Sequence, residues 1–188
     1  MKLTIKKAHI FTIILGAIFV SLSIFHTNLW FDESYSVAIA RHSFSEIWNI
    51  GGNDVHPILY YWMLHIIQII TGGSVLAYRI FSAIPIIILG VLGFTHIRKD
   101  FGEKEGYIFS LFTYFMPAMS VYTNQVRMYS WSILTVTILA IYAYRIFKGK
   151  DSNKNLIIFG ISSLVSIYLH YYGLMAAGII NAILLIYL

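Results

Sequence analysis

Two adjacent carboxylates, Asp32 and Glu33, follow Trp30 and Phe31 just after the first apolar run of the chain. Charge is costly where the dielectric falls at a membrane edge, so such a pair needs a reason. A carboxylate there can act as a general base or ligate a cation. It can also simply cap a helix: Asp32 as N-cap of a short interfacial helix over residues 33–42 suits both the residue type and the helix dipole. The two roles do not exclude each other. His56-Pro57 reads as the start of a second helix, with Pro57 in the first turn, His56 toward the loop, and Tyr60 and Tyr61 one turn on. An aromatic belt at the interface accounts for the tyrosines equally well. In Gln125-Val126-Arg127-Met128-Tyr129 the guanidinium could hold a phosphate through paired hydrogen bonds, or only snorkel to the headgroups. His170-Tyr171-Tyr172-Gly173 forms a turn that sets a titratable ring and two phenols at one boundary, or anchors the chain in the belt.

The chain that must position these residues is a membrane protein. Of its 188 residues 59% are hydrophobic and 11% charged, against about 25% charged in a soluble domain. Eight acids and thirteen bases give a net charge of +5, but no water-soluble surface exists to turn the excess into a nucleic-acid patch. Cysteine is absent, which removes disulfides and thiolate metal sites. The histidines His9, His26, His42, His65 and His96 show no ligand spacing, so a metal would have to rely on carboxylates. A Gly-rich phosphate loop, an internal repeat and a low-complexity tract are all missing, which argues against direct use of a nucleotide.

Residues 8–25 form an uncharged run behind Lys2, Lys6 and Lys7, which places the N-terminus in the cytoplasm. A cleaved signal peptide ending near Ser21 and Ser23 is the competing reading and gives the same orientation. Further spans are predicted at 75–97, 107–122, 128–147, 156–172 and 173–188, with Pro85 and Pro117 as the kink points. Segment 56–71 is short and carries His65 and Gln68. If it spans, the lysine-rich loops 98–106 and 148–155 fall outside. If it stays on the outer side, ten of the thirteen bases gather inside with the N-terminal lysines. The second arrangement is preferred, with 56–71 interfacial or re-entrant and packed on protein. The expected fold is therefore all-α, with six transmembrane helices and an outer loop at 29–72 that carries the interfacial helices. Asp32, Glu33, Asp54, His56, Arg127, Tyr129, His170, Tyr171 and Tyr172 all reach the outer boundary in that arrangement. The chain stops within an apolar run, so 1–188 reads as one module of a C-terminally truncated fragment.

The order of these motifs resembles the membrane glycosyltransferases of the GT-C superfamily, over nearly the whole chain. It is most similar to the N-terminal catalytic half of the family that contains protein O-mannosyltransferases and the lipid A aminoarabinose transferase. The resemblance implies sugar transfer from a polyprenyl-phosphate carrier to a hydroxyl of a glycan, lipid or protein acceptor, in the plasma membrane and on its extracytoplasmic face. Asp32 would be the key acidic residue, with Glu33, His56, Tyr60, Arg127, Tyr129, His170 and Tyr171 binding substrate. A divalent cation, Mg²⁺ or Mn²⁺, with Asp32 as its candidate ligand, is the one cofactor implied. Two departures stand out: family members commonly show His-Pro-Pro where this chain has His56-Pro57-Ile58, and often an acid where it has Gln125. The missing acid weakens the metal site.

The chemistry also stands without the resemblance. A hydroxyl attacking an anomeric carbon needs a base, and the departing phosphate needs positive charge in a dry site, which Asp32 and Arg127 could supply. A phosphate leaves more readily than the alkoxide of a glycosidase reaction, so one base suffices and inversion is expected. A transporter or lipid-handling protein is the main alternative; it would show ionisable groups in mid-span and paired broken helices, and only Arg79 and His65 are candidates for embedded polarity. A purely structural subunit finds no support in a packing motif such as Gly-x-x-x-Gly within an apolar run.

Overall fold

The computed structural model describes residues 4–187; the expected cytoplasmic Lys2 and the last residue of the final span, Leu188, lie outside the described residues. Those residues form helices and no strand. In chain order they are α1 (Ile5–Leu22), α2 (Phe31–Ala40), α3 (Phe44–Gly51), α4 (Leu59–Thr71), α5 (Val75–Leu92), α6 (Arg98–Phe101), α7 (Glu103–Phe115), α8 (Pro117–Asn124), α9 (Tyr129–Phe147), α10 (Asn153–Leu169) and α11 (Tyr171–Tyr187). A π-helical turn, Gly93–Ile97, joins α5 to α6 without a break.

Three of these segments are long and apolar enough to cross a membrane: Ile5–Phe25, Val75–Phe101 and Tyr129–Phe147. Leu59–Thr71, Asn153–Leu169 and Tyr171–Tyr187 are shorter apolar helices. Large apolar side chains such as Phe11, Ile14, Phe112, Leu164 and Ile179 point outward uncovered. So broad an apolar exterior is the mark of a protein dissolved in lipid.

Contacts divide the bundle into two polar ends. At one, Arg79 in the second turn of α5 meets the chain just after α1 and the end of α8. At the other, His9 near the start of α1 bonds Ser110 of α7, which donates to the carbonyl of Gly90 in α5, and Arg145 of α9 pairs with Asp100. Between them Tyr114 of α7 is wedged against two glycines, Gly16 of α1 and Gly90 of α5, where a Cβ would overlap its ring.

Several elements differ from expectation for identifiable reasons. The segment 107–122 is two helices broken at Met116, whose extended backbone hands the chain to Pro117 at the first position of α8. Proline suits that position because its missing N–H is one no helix start uses. Pro85 sits inside α5, which continues through it. Pro57 is not in a first turn, since α4 begins only at Leu59. Asp32 is not an N-cap, because α2 begins at Phe31 with Trp30 at the cap. The longer Glu33 reaches back to the Trp30 N–H instead (3.1 Å).

α4 lies alongside the beginning of α5. Tyr60 near its start packs on Phe81 and Gln68 near its end accepts from Tyr78, while His65 Nδ1 lies 2.8 Å from the carbonyl of Ala40 at the end of α2. Gly72 and Gly73, at φ of 65° and 90°, turn the chain from α4 into α5 through a conformation that side chains disfavour.

The Tyr114 wedge yields a contrast. Gly90→Ala should lower stability by about 1–3 kcal/mol through overpacking, whereas a Cβ at Gly160 meets nothing and Gly160→Ala should raise it by up to about 1 kcal/mol through helix propensity. Thermal unfolding of the full-length protein in detergent reads both.

Candidate active site

α2 is fixed at its first turn by Glu33, only 2% exposed. One carboxylate oxygen accepts from Arg79 Nη1 and from the N–H of Val126, both at 2.8 Å; the other accepts from Arg79 Nη2 and the N–H of Trp30, both at 3.1 Å. Arg79 also donates to main-chain oxygens of His26 (2.8 Å), Asn28 (2.5 Å) and Asn124. Every strong acceptor of Glu33 is thus engaged, and its charge is neutralised. Glu33 positions the site; it was expected to bind substrate. Arg79 was recognised in the sequence only as an embedded charge, and nothing in its spacing points to Glu33, 46 residues away.

With α2 in place, Arg127 is brought beneath it. The guanidinium is 5% exposed and donates from Nη1 to the Asp32 carbonyl (3.1 Å) and Ser36 Oγ (2.9 Å), and from Nη2 to His56 Nε2 (2.7 Å). It faces the Tyr129 ring at 5.9 Å. His170 closes the group, with its ring 5.4 Å from His56 and 5.6 Å from Tyr129. Asp32, His56, Arg127, Tyr129 and His170 are therefore neighbours, as their order in the chain suggested. Tyr60 is wholly buried nearby, edge-on to Tyr61. Ser36 was not singled out, although its place one helical turn after Asp32 is a usable signal. Tyr171 turns away: it is exposed and lines an apolar recess with Trp48, Pro57, Ile58 and Leu174.

The electrostatics distinguish the two arginines. Arg79 has Glu33, whereas Arg127 has no carboxylate partner among the described residues. Because Arg127 donates to His56 Nε2, His56 carries its proton on Nδ1. That atom and Arg127 Nε are both buried without a partner among the described residues. Two unanswered N–H donors therefore lie on side chains that are bonded to each other, a distribution rare in folded proteins. Asp54 lies at the rim, accepting from Tyr35 (3.2 Å) and Tyr61 (2.7 Å) hydroxyls, and burial followed by the Asp54 charge pushes the Tyr35 hydroxyl up. Burial, then His56 and Arg127, hold the His170 imidazole below its ordinary value of 6.5. Its Nδ1 accepts the Tyr172 N–H at 3.0 Å.

For a cation the donor set is poor. No group of three His, Asp or Glu side chains converges among the described residues. Glu33 is spent on Arg79, and position 125 offers an amide. Asp32 would be a lone carboxylate ligand.

The bundle thus carries, at one end, a nearly buried arginine without a carboxylate partner among the described residues. The family described as dolichyl-phosphate-mannose-protein mannosyltransferase matches residues 55–188. The chain belongs to that family and is a GT-C membrane glycosyltransferase. His56, Arg127 and His170 lie within the matched segment, and Asp32 precedes it. No curated protein and no solved structure matches the chain.

Two outcomes follow from this geometry. Arg79→Ala strands a buried carboxylate and should cost about 3–5 kcal/mol, and replacing both partners with Glu33→Gln and Arg79→Met should cost less than that single change, as read by thermal unfolding. The unfolded chain binds the His170 proton more readily than the folded one, so this residue's contribution to stability falls as pH drops through about 6.5. His170→Gln should flatten the slope of unfolding temperature between about pH 7 and 5.

Proposed function

We propose that this protein transfers a sugar from a polyprenyl-phosphate carrier to an acceptor hydroxyl, with inversion, at the extracytoplasmic face of the plasma membrane. The unpaired Arg127 with its neighbour His56 carries this reading, since their free N–H donors suit the phosphate of the carrier. Asp32 is the general base. The acceptor oxygen attacks the anomeric carbon, its proton passes to the Asp32 carboxylate, and the bond from that carbon to the phosphate oxygen breaks with its electron pair on the phosphate. Arg127 and His56 stabilise the charge that develops there, and burial strengthens their effect. Tyr129 and His170 wall the site, and Tyr60 supplies a hydroxyl beneath it. Tyr171 and the recess beside Pro57 lie on the side from which an apolar carrier would approach. No step is assigned to a metal ion, because no three His, Asp or Glu side chains converge among the described residues.

The orientation rests on charge. Six crossings, made by α1, α5 with α6, α7 with α8, α9, α10 and α11, leave the lysine-rich turns on the cytoplasmic side and the Arg127 site outside. The position of α4 along the start of α5 supports counting it with the outer elements.

The test is transfer by the full-length protein from a polyprenyl-phosphate sugar. Asp32→Asn should lower kcat by about 10²–10⁴-fold, the usual worth of a general base, with unchanged thermal stability. Arg127→Lys should also impair transfer, because a lysine cannot keep both bonds to α2 and His56. Undiminished transfer by the Asp32 variant overturns the assignment.

A further inference from the structure

A second feature lies at the far end of α9. That helix starts at Tyr129 in the site and runs 19 residues, about 28 Å at 1.5 Å per residue. Its last turns and those of α11 enclose an apolar furrow of about 390 Å³, lined by Ala140, Ala143, Phe147, Ile180, Ile183 and Leu184. Ala140 and Ala143 are three apart and so share a helix face; their small side chains leave the space. The mouth is differently built. Lys148, which ends α9, sets its ammonium 5.7 Å from the Tyr144 ring and 5.8 Å from the Phe147 ring, and Tyr187 meets Phe147 edge-on at 5.9 Å.

Lys148 has no acidic partner among the described residues. The Asp100 carboxylate, near the same end of the bundle, is already shared by Arg145 at 2.7 Å and Lys150 at 3.8 Å. An ammonium held at the mouth of an apolar furrow complements a molecule with a hydrocarbon tail and a negative head. Basic pockets between helices on the cytoplasmic side are suited to anionic lipid heads, and that leaflet supplies them. We infer that the α9–α11 furrow is a binding site for an anionic glycerophospholipid of the cytoplasmic leaflet, its acyl chain along Ala140, Ala143 and Ile183 and its phosphate at Lys148. The site is separate from Arg127; the inference rests on the membrane orientation proposed above and not on sugar transfer.

Native mass spectrometry of the full-length protein, delipidated and then exposed to mixed micelles of phosphatidylglycerol and phosphatidylcholine, tests it. The wild type should retain phosphatidylglycerol with about fivefold preference, the worth of one surface lysine against an anionic lipid. Lys148→Glu should abolish the preference. Ala140→Phe, at an exposed position, should fill the furrow and remove retention of both lipids. Lys148→Glu alters only an exposed side chain, so it remains decisive if Ala140→Phe fails to fold. Equal retention of the two lipids by the wild type, unchanged preference in Lys148→Glu, or no retained lipid because another part of the chain fills the furrow would each overturn the inference.

Discussion

The buried pair of Glu33 and Arg79 is the constraint on which the Arg127 end of the bundle depends. Ion pairs in low dielectric rarely contribute much net stability, because desolvation offsets the attraction. What this pair supplies is position. Glu33 is bonded to the cap of its own helix and to the Val126 N–H, so the carboxylate that starts α2 also fixes the strand of chain immediately before Arg127. Arg79 fastens the same point to the segment after α1 and to α8. Three stretches of the sequence, 26–33, 79 and 124–126, meet there. Arg127 follows Val126 and Asp32 precedes Glu33, so the bond from Arg127 to the Asp32 carbonyl is set one residue away from that knot on both sides.

The two arginines show how placement decides chemistry. Both are nearly buried and both donate to main-chain oxygens. One faces a carboxylate, which neutralises it; the other faces an imidazole and has no carboxylate partner among the described residues. Exchange of Ser36 or His56 for an acid would turn the second into a copy of the first.

Much of this was legible in the sequence. Composition identified a membrane bundle, and the clustering of Asp32, His56, Arg127, Tyr129 and His170 followed from motifs that lie at the ends of apolar runs. The roles within the acidic pair were not legible. Which of two adjacent acids is buried depends on where a helix starts, and that was decided by a partner 46 residues away. Tyr171 sits next to His170 in sequence, but the helix that begins at Tyr171 sends its side chain to another face. The break at Met116 reflects a local rule, a proline preferring a helix start, which an apolar run long enough to span conceals.

Arg79 grips residues 26, 28 and 124 by their carbonyl oxygens, atoms that every amino acid possesses. At residues 26 and 28 the grip demands a path from the chain and makes no use of the side chain, whereas the Asn124 side chain is itself bonded to Ser23 and to the Ser120 carbonyl. His26, Asn28 and Asn124 edge an open recess of about 480 Å³ beside Trp30 and Gln125. Substitution at residue 26 or 28 can therefore recontour that recess while the Arg79 grip on the main chain stays in place.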